Sequence, residues 1–356
     1  MTRPASNTEL SERFAGLLLG TAVGDALGLP AEGISRSRSR RMWQGRWRHR
    51  FFFGRGMISD DTEHTLFVAQ ALLAHPDDVD AFQRCLAWKL RLWLLGVPAG
   101  IGLATLRSIL KLWLGFSPKR SGVASAGNGP AMRSAIIGLY FADDPQRRLA
   151  FVLASTRLTH TDQRAETAAI AVAEAAAWAM NQNVPVTELP KHLPALEGAD
   201  GWVEIRGKMA AALTAQMSVQ DFAGFLGLQH GVTGYAYHTV PVALYAAFRH
   251  GDDFRQALES ALNCGGDTDT VGAIVGAVAG AKLGRQGVPA DLISGICEWP
   301  RSMSVMERIA VRLAEQKQKG VPLGPVRYFW PGLIPRNIFF VIVVLLHGFR
   351  RLAPPY

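Results

Sequence analysis

The chain has 356 residues, 49% of them apolar and 19% charged, with a formal net charge of +9. That balance excludes a disordered chain, and the length suffices to bury one large core. Three cysteines, Cys85, Cys264 and Cys297, lie far apart without ligand spacing. They offer no zinc site and fit a reducing, cytoplasmic compartment.

Helical periodicity and alanine dominate from the start. Helices are predicted at about 12–29, 60–75, 79–95, 100–114, 130–141, 146–156, 163–181, 202–217, 240–250, 254–262, 268–283 and 304–319. Alternating strand patterns are scarce, and the connections are short. The expected fold is therefore all-α: a compact, orthogonal multi-helix single domain over 10–320, with a tail at 321–356. Glu9 and Glu12 interrupt the N-terminal apolar pattern, so no secretory signal is expected.

The first helix carries glycine at every fourth position: Gly16, Gly20, Gly24 and Gly28. A second ridge, Gly272, Gly276, Gly280 and Gly284, marks the helix after residue 268. Glycine inside a helix costs about 1 kcal/mol relative to alanine. A repeated ridge must return something, and close backbone approach in a crowded centre is the expected return. Asp25 and the polar flanks favour a soluble core over a membrane dimer.

Next comes a stretch without acids, holding Arg36, Arg38, Arg40, Arg41, Arg46, Arg48, Arg50 and Arg55. A solvated loop, a surface for an anionic substrate or its carrier, and a nucleic-acid contact helped by Trp43, Trp47 and Phe51–Phe53 all fit it. No recognised nucleic-acid module accompanies it.

Ser59-Asp60-Asp61-Thr62-Glu63 then opens an apolar-periodic helix. Capping explains part of this, since Ser59 suits an N-cap and Asp60 with Glu63 has capping-box spacing. The cluster has a counterpart, Asp267-Thr268-Asp269-Thr270, which opens the second glycine-ridged helix. Capping needs one acceptor per helix, so the doubling is surplus to it. Buried carboxylates are costly unless paired, hydrogen-bonded or bound to metal, and oxygen donors of this kind suit Mg²⁺, Mn²⁺ or Ca²⁺. Helix N-termini repel cations, so carboxylates from both clusters would have to converge to hold them.

Between the clusters, Gly127-Asn128-Gly129 precedes Pro130. It reads as a turn before a helix, or as backbone N–H groups able to hold phosphate. His160 reads as structural or as a pocket residue. Arg133 is read as facing phosphate or a buried carboxylate, and Tyr235 and Tyr237 as lining either a pocket or the core. Beyond the last predicted helix, Ile338–Leu346 is an uninterrupted apolar run between Arg336 and Arg350-Arg351. It falls short of the roughly 20 residues that span a bilayer. It suits a segment packed on the globule or a partner subunit, or an interfacial anchor on anionic lipid.

Five of these segments, in order, resemble the ADP-ribosylglycohydrolase family, that of dinitrogenase-reductase-activating glycohydrolase. They are Gly20–Glu32, Ser59-Asp60-Asp61-Thr62, Gly127–Arg133, Thr159-His160 and Gly265-Gly266-Asp267-Thr268-Asp269-Thr270. The resemblance covers about residues 12–285. It implies an all-α fold with two Mg²⁺ (or Mn²⁺) ions held by Ser59, Asp60, Asp61, Asp267, Asp269 and Thr270. Ser59 stands where the family usually has threonine. The implied activity is hydrolysis of the glycosidic bond joining ADP-ribose to a protein side chain, nucleic acid or small conjugate. Glu32 and Asp61 carry the implied catalytic roles, and Ser125, Gly127, Asn128, Gly129 and His160 the substrate contacts. Some relatives place an aromatic residue before the glycine-rich loop, where this chain has Ala126. A catalytically silent ADP-ribose-binding or structural protein on the same fold is the alternative.

Overall fold

A computed structural model describes residues 6–179, 185–194, 196 and 198–354. Among them no strand forms; only isolated bridges join loops. The first half holds α1 (Asn7–Gly28), α2 (Arg36–Met42), α3 (Asp60–Ala74), α4 (Val79–Leu95), α5 (Leu103–Trp113), α6 (Ala135–Tyr140), α7 (Pro145–Arg157) and α8 (Gln163–Trp178). Then follow α9 (Leu189–His192), α10 (Trp202–Thr214), α11 (Val219–Phe225), α12 (Ala236–Arg249), α13 (Phe254–Leu262), α14 (Thr268–Gly287), α15 (Ala290–Ser294), α16 (Met303–Lys319) and α17 (Leu333–Arg350).

The twelve predicted helices correspond to helical segments here, with three departures. The 130–141 stretch divides into a 3-10 turn, Ala131–Arg133, followed by α6. The end expected near residue 181 lies outside the described residues; α8 runs to Trp178. The arginine-rich stretch is partly helical: Ser35 caps α2, and Ser39 is buried beneath it.

Everything is arranged around α1 and α14. From Phe14 onward every residue of α1 is buried. The two glycine ridges face each other antiparallel: a Cβ built on Gly24 would lie 1.9 Å from the carbonyl oxygen of Gly272, and one on Gly20 2.2 Å from that of Gly276. Side chains on either ridge would force the helices apart, as the close-approach reading requires. At Gly284 the backbone leaves helical geometry (φ 71), so regular helix ends at Leu283, where the periodicity placed it.

This packing fixes the site. Gly28, the last residue of α1, meets Thr268, the first of α14, whose hydroxyl donates to the Gly28 carbonyl at 2.7 Å. The chain leaving α1 toward Glu32 is thereby held beside Asp267 and Asp269. Gly265 and Gly266 both need left-handed φ (71 and 85), and Gly266 bonds reciprocally with Gly33 and Ile34 at 2.8 Å. A side chain on Gly266 would strike the Val232 carbonyl, 1.9 Å away.

Candidate active site

A cleft of about 760 Å³ opens where the N-termini of α3 and α14 meet. It is lined by Glu32, Asp60, Asp61, Ser125, Gly127, Asn128, Gly129, His160, Asp267, Asp269 and Thr270, so eleven of the twelve sequence-nominated residues face one space. Ser59 is the twelfth; it lies buried behind Asp61, its Oγ donating to Asp61 Oδ2 at 3.4 Å. Thr270 Oγ1 donates to the same oxygen at 3.3 Å, joining the two acidic clusters directly.

Capping does not account for these carboxylates. Ser59 is the N-cap of α3, its Oγ accepting from Asp61 N at 3.4 Å, and Asp25 Oδ2 on α1 accepts from Ser59 N (2.9 Å), Thr62 N (3.2 Å) and Thr62 Oγ1 (2.5 Å). Burial pushes the Asp25 carboxyl up to about 6. Glu63 forms no capping box; it pairs with Arg301 and accepts from Trp93 Nε1 at 2.5 Å. Asp267 begins α14 without capping it, its Oδ2 instead accepting from Asn128 Nδ2 at 2.6 Å. Asp60 and Asp61 are thus left free to face the cleft.

The electrostatics follow from this crowding. Burial holds Asp60, Asp61 and Asp269 well above the ordinary carboxylate range, and neighbouring acids add to the shift in all three. Glu32 is raised by burial and by Asp267, and is hydrogen-bonded to Asp269. Asp61 Oδ1 is buried with no hydrogen-bond partner. Buried like charges of this kind are expensive unless a cation or shared protons offset them. No group of three or more His, Cys, Asp or Glu among the described residues is gathered closely enough to hold a metal ion as it stands. The donors that could be drawn together for one include the Ser59 and Thr270 hydroxyls beside the carboxylates.

Across the cleft, His160 lies under the glycine-rich loop. A Cβ on Gly127 would sit 3.2 Å from its Nε2, and one on Gly129 3.3 Å from its Cε1. The loop is glycine-rich partly because the imidazole occupies that space. Gly127 N already bonds Ser125 Oγ (3.3 Å) and Asn128 N bonds the Gly234 carbonyl (3.0 Å), which leaves the Gly129 N–H as the loop's unengaged amide.

Arg133 makes no hydrogen bond to a carboxylate among the described residues, although the charge of Asp60 acts on it. It is fully buried, and donates to Ser155 Oγ, the Ser155 carbonyl, Thr159 Oγ1 (2.8 Å) and His64 Nδ1 (3.3 Å). Thr159 Oγ1, accepting from Arg133, is 2.8 Å from His160 Nδ1. The same hydroxyl also donates to the Thr156 carbonyl at 3.4 Å. Burial and Arg133 lower the His160 pKa to about 3, so the ring is neutral. Tyr237 is buried and Tyr235 half-buried, and neither lines the cleft. No Phe, Tyr or Trp does among the described residues.

Two contributors were not nominated from sequence. In the sequence Asp25 signals only a soluble core. Arg351, just beyond α17, donates to the Pro30 carbonyl at 3.3 Å, and its charge acts on Glu32 and Asp269. Sequence carries little signal for either, since each acts across a large separation in the chain.

Two acidic helix ends thus face one cleft of an all-helical fold. The sequence model of the ADP-ribosylglycohydrolase family matches residues 6–321, and the chain belongs to that family. It is 28% identical to the ADP-ribosyl-[dinitrogen reductase] glycohydrolase of Rhodospirillum rubrum, over 83% of this chain and 92% of that protein. It is also 28% identical to ADP-ribosylhydrolase ARH3 of Gallus gallus, over 78% of this chain and 87% of the other. A solved structure described as an ADP-ribosylglycohydrolase-related protein complex superposes with a TM-score of 0.62 at 27% identity, covering 87% of this chain and 99% of that one.

Proposed function

We propose that the protein hydrolyses the glycosidic bond between ADP-ribose and an N- or O-linked acceptor, with two divalent cations, Mg²⁺ or Mn²⁺, in the cleft. The observation that carries this reading is the Thr270–Asp61 hydrogen bond, which joins the two acidic clusters in a cleft short of compensating charge. The residues fit hard cations: the donors are all oxygens, and Asp61 Oδ1 is buried without a partner. Ser59, Asp60, Asp61, Asp267, Asp269 and Thr270 would hold them. When bound, the cations would orient ribose hydroxyls and make water a better nucleophile.

The chain's own groups do the rest. Asp61 takes the proton of the attacking water, and the surrounding carboxylates stabilise an oxocarbenium-like transition state. Glu32, at the cleft edge on Asp269, positions the substrate or exchanges protons with it. Asn128 holds Asp267 in place, while the Gly129 N–H donates to substrate oxygens and the neutral His160 ring lines the same wall of the pocket. The three cysteines are free thiols, which supports a reducing, cytoplasmic setting.

Replacing Asp269 by Asn should lower turnover by on the order of a hundredfold, together with Mg²⁺ affinity. The assay is release of ADP-ribose from modified arginine, modified serine, nucleic acid and small conjugates, with Mg²⁺ titrated against thermal stability. Full Mg²⁺-dependent release by the variant would refute the assignment. Stabilisation of the wild-type protein by ADP-ribose, with no release from any substrate, would favour a binding protein.

A further inference from the structure

Residues 322–356 lie outside the segment that matches the family, and contain Arg327, Arg336, Arg350 and Arg351 but no acid. Helix α17 forms most of this segment. One stripe, Arg336, Asn337, Phe340 and Val343, is buried on the globule. Arg336 pairs with Glu298 at 2.8 Å and donates to the Ile58 carbonyl, while Asn337 donates to the Gly96 carbonyl at 2.7 Å. The opposite stripe, Ile334, Ile338, Ile342, Leu345, Leu346 and Phe349, is exposed, each by more than half. A monomer surface in water rarely carries an apolar strip so long.

The second acid-free stretch comes to the same face. The Phe51 ring packs on Phe340 (5.0 Å) and His347 (5.3 Å), and Phe52 on Phe339 (4.8 Å). Phe53, at the tip of that turn, is 92% exposed. Arg38 on α2 donates to the Arg351 carbonyl, tying the arginine-rich helix to the end of α17. Arg55 beside the aromatic tip and Arg350 at the helix end are exposed, and neither forms a salt bridge among the described residues. An apolar strip with cations at its edges is thus built from two segments far apart in sequence.

That combination decides between occupants. A second copy would bring two acid-free arginine rims together, and a purely apolar partner would leave them uncompensated. An anionic bilayer satisfies both parts: acyl chains take the apolar strip and headgroup phosphates take the arginines. With its lead-in turn, the segment Trp330–Arg350 is 21 residues long, long and apolar enough to cross a membrane. Crossing would pull Arg336 and Asn337 from their buried partners, so the helix lies flat. The other segment long and apolar enough, Asn7–Ala31, has its apolar stretch buried in the core.

We propose that this face docks on anionic phospholipid, with Phe53, Ile338, Ile342 and Leu345 at the acyl boundary and Arg55 and Arg350 at headgroup level. The proposal is independent of the hydrolase reading. The test is sedimentation of the full-length protein with phosphatidylcholine vesicles, with and without phosphatidylglycerol. The expected result is binding only to phosphatidylglycerol vesicles, weakened about tenfold or more by high salt. The doubly substituted variant Ile342→Asp with Leu345→Asp, and separately Phe53→Ser, should lose binding by a similar factor while keeping the wild-type melting temperature. Wild-type protein that stays in the supernatant, or surface variants that bind as wild type does, would overturn the proposal. So would a dimer in sedimentation velocity that the double variant dissolves without any vesicle binding, which would assign the face to a second copy.

Discussion

Asp61 and Glu63 stand two residues apart at the head of α3 and are almost equally inaccessible, at 1% and 3% exposure. Glu63 meets Arg301, Arg336 at 3.5 Å and the indole of Trp93. Asp61 meets two hydroxyls and three other acids, Asp60, Asp25 and Asp267. Little more than half a turn of helix therefore separates a compensated carboxylate from an uncompensated one. Burial alone marks neither as functional; what distinguishes Asp61 is burial without an opposite charge. The arginines sharpen the contrast, because Arg301 and Arg336 hold acids while Arg133 holds only neutral oxygens and a histidine nitrogen.

The largest expected effect falls on the compensated side. Glu63→Ala would leave Arg301 short of its partner in a site where both side chains are 3% exposed. Removing one member of a buried pair typically costs about 3–5 kcal/mol. Urea unfolding should show a loss of that size without dependence on Mg²⁺. A loss below about 1 kcal/mol would mean that Glu63 is as dispensable to the fold as the cleft acids and would erase the distinction.

A smaller effect is expected around Arg133. His160 is buried and neutral, with its pKa lowered from 6.5 to about 3. The unfolded chain takes up this proton below pH about 6.5 and the folded chain does not, so stability falls as pH drops through the window between those values. Between about pH 7 and pH 5 the loss from this one group is about 2 kcal/mol. His160→Gln should remove that part of the slope, read as the difference between the two proteins' unfolding curves at the two pH values. Parallel wild-type and variant slopes would show that His160 titrates normally and that Arg133 does not hold it neutral.

Much of this arrangement is legible in the sequence, for local reasons. The glycine ridges recur at helical spacing and pack on each other, and the doubled acid-hydroxyl clusters lie at helix starts that converge. What sequence leaves out is partnership across the fold. Glu63 looks like the end of a capping box until Arg301 arrives from far along the chain, and Asp25 looks like an isolated core acid until it caps α3. The apolar run at Ile338–Leu346 was open between packing and anchoring, and α17 has a face for each. Arg36–Met42 becomes a helix although its arginines suggest a solvated loop, because Ser35 caps it and Ser39 is buried against the globule.

The smallest effect is the most direct test of the contrast on α3, because its sign is opposite to that of Glu63→Ala. The Asp61 carboxyl is held above its ordinary 3.8 by burial, and then by Asp60, Asp25 and Asp267. A carboxyl raised in the folded state lowers stability progressively as pH rises from its unfolded pKa through its folded one. Asn keeps the shape and cannot ionise. Metal-free Asp61→Asn should therefore be more stable than wild type at neutral pH, read as a higher urea midpoint. The advantage should shrink as pH falls toward the unfolded value. Added Mg²⁺ should stabilise the wild-type protein and leave the variant nearly unchanged, because binding to the native state alone raises stability. A metal-free variant less stable than wild type at neutral pH would mean that the charge at Asp61 is compensated within the fold, as that of Glu63 is, and that the cleft has no need of a cation.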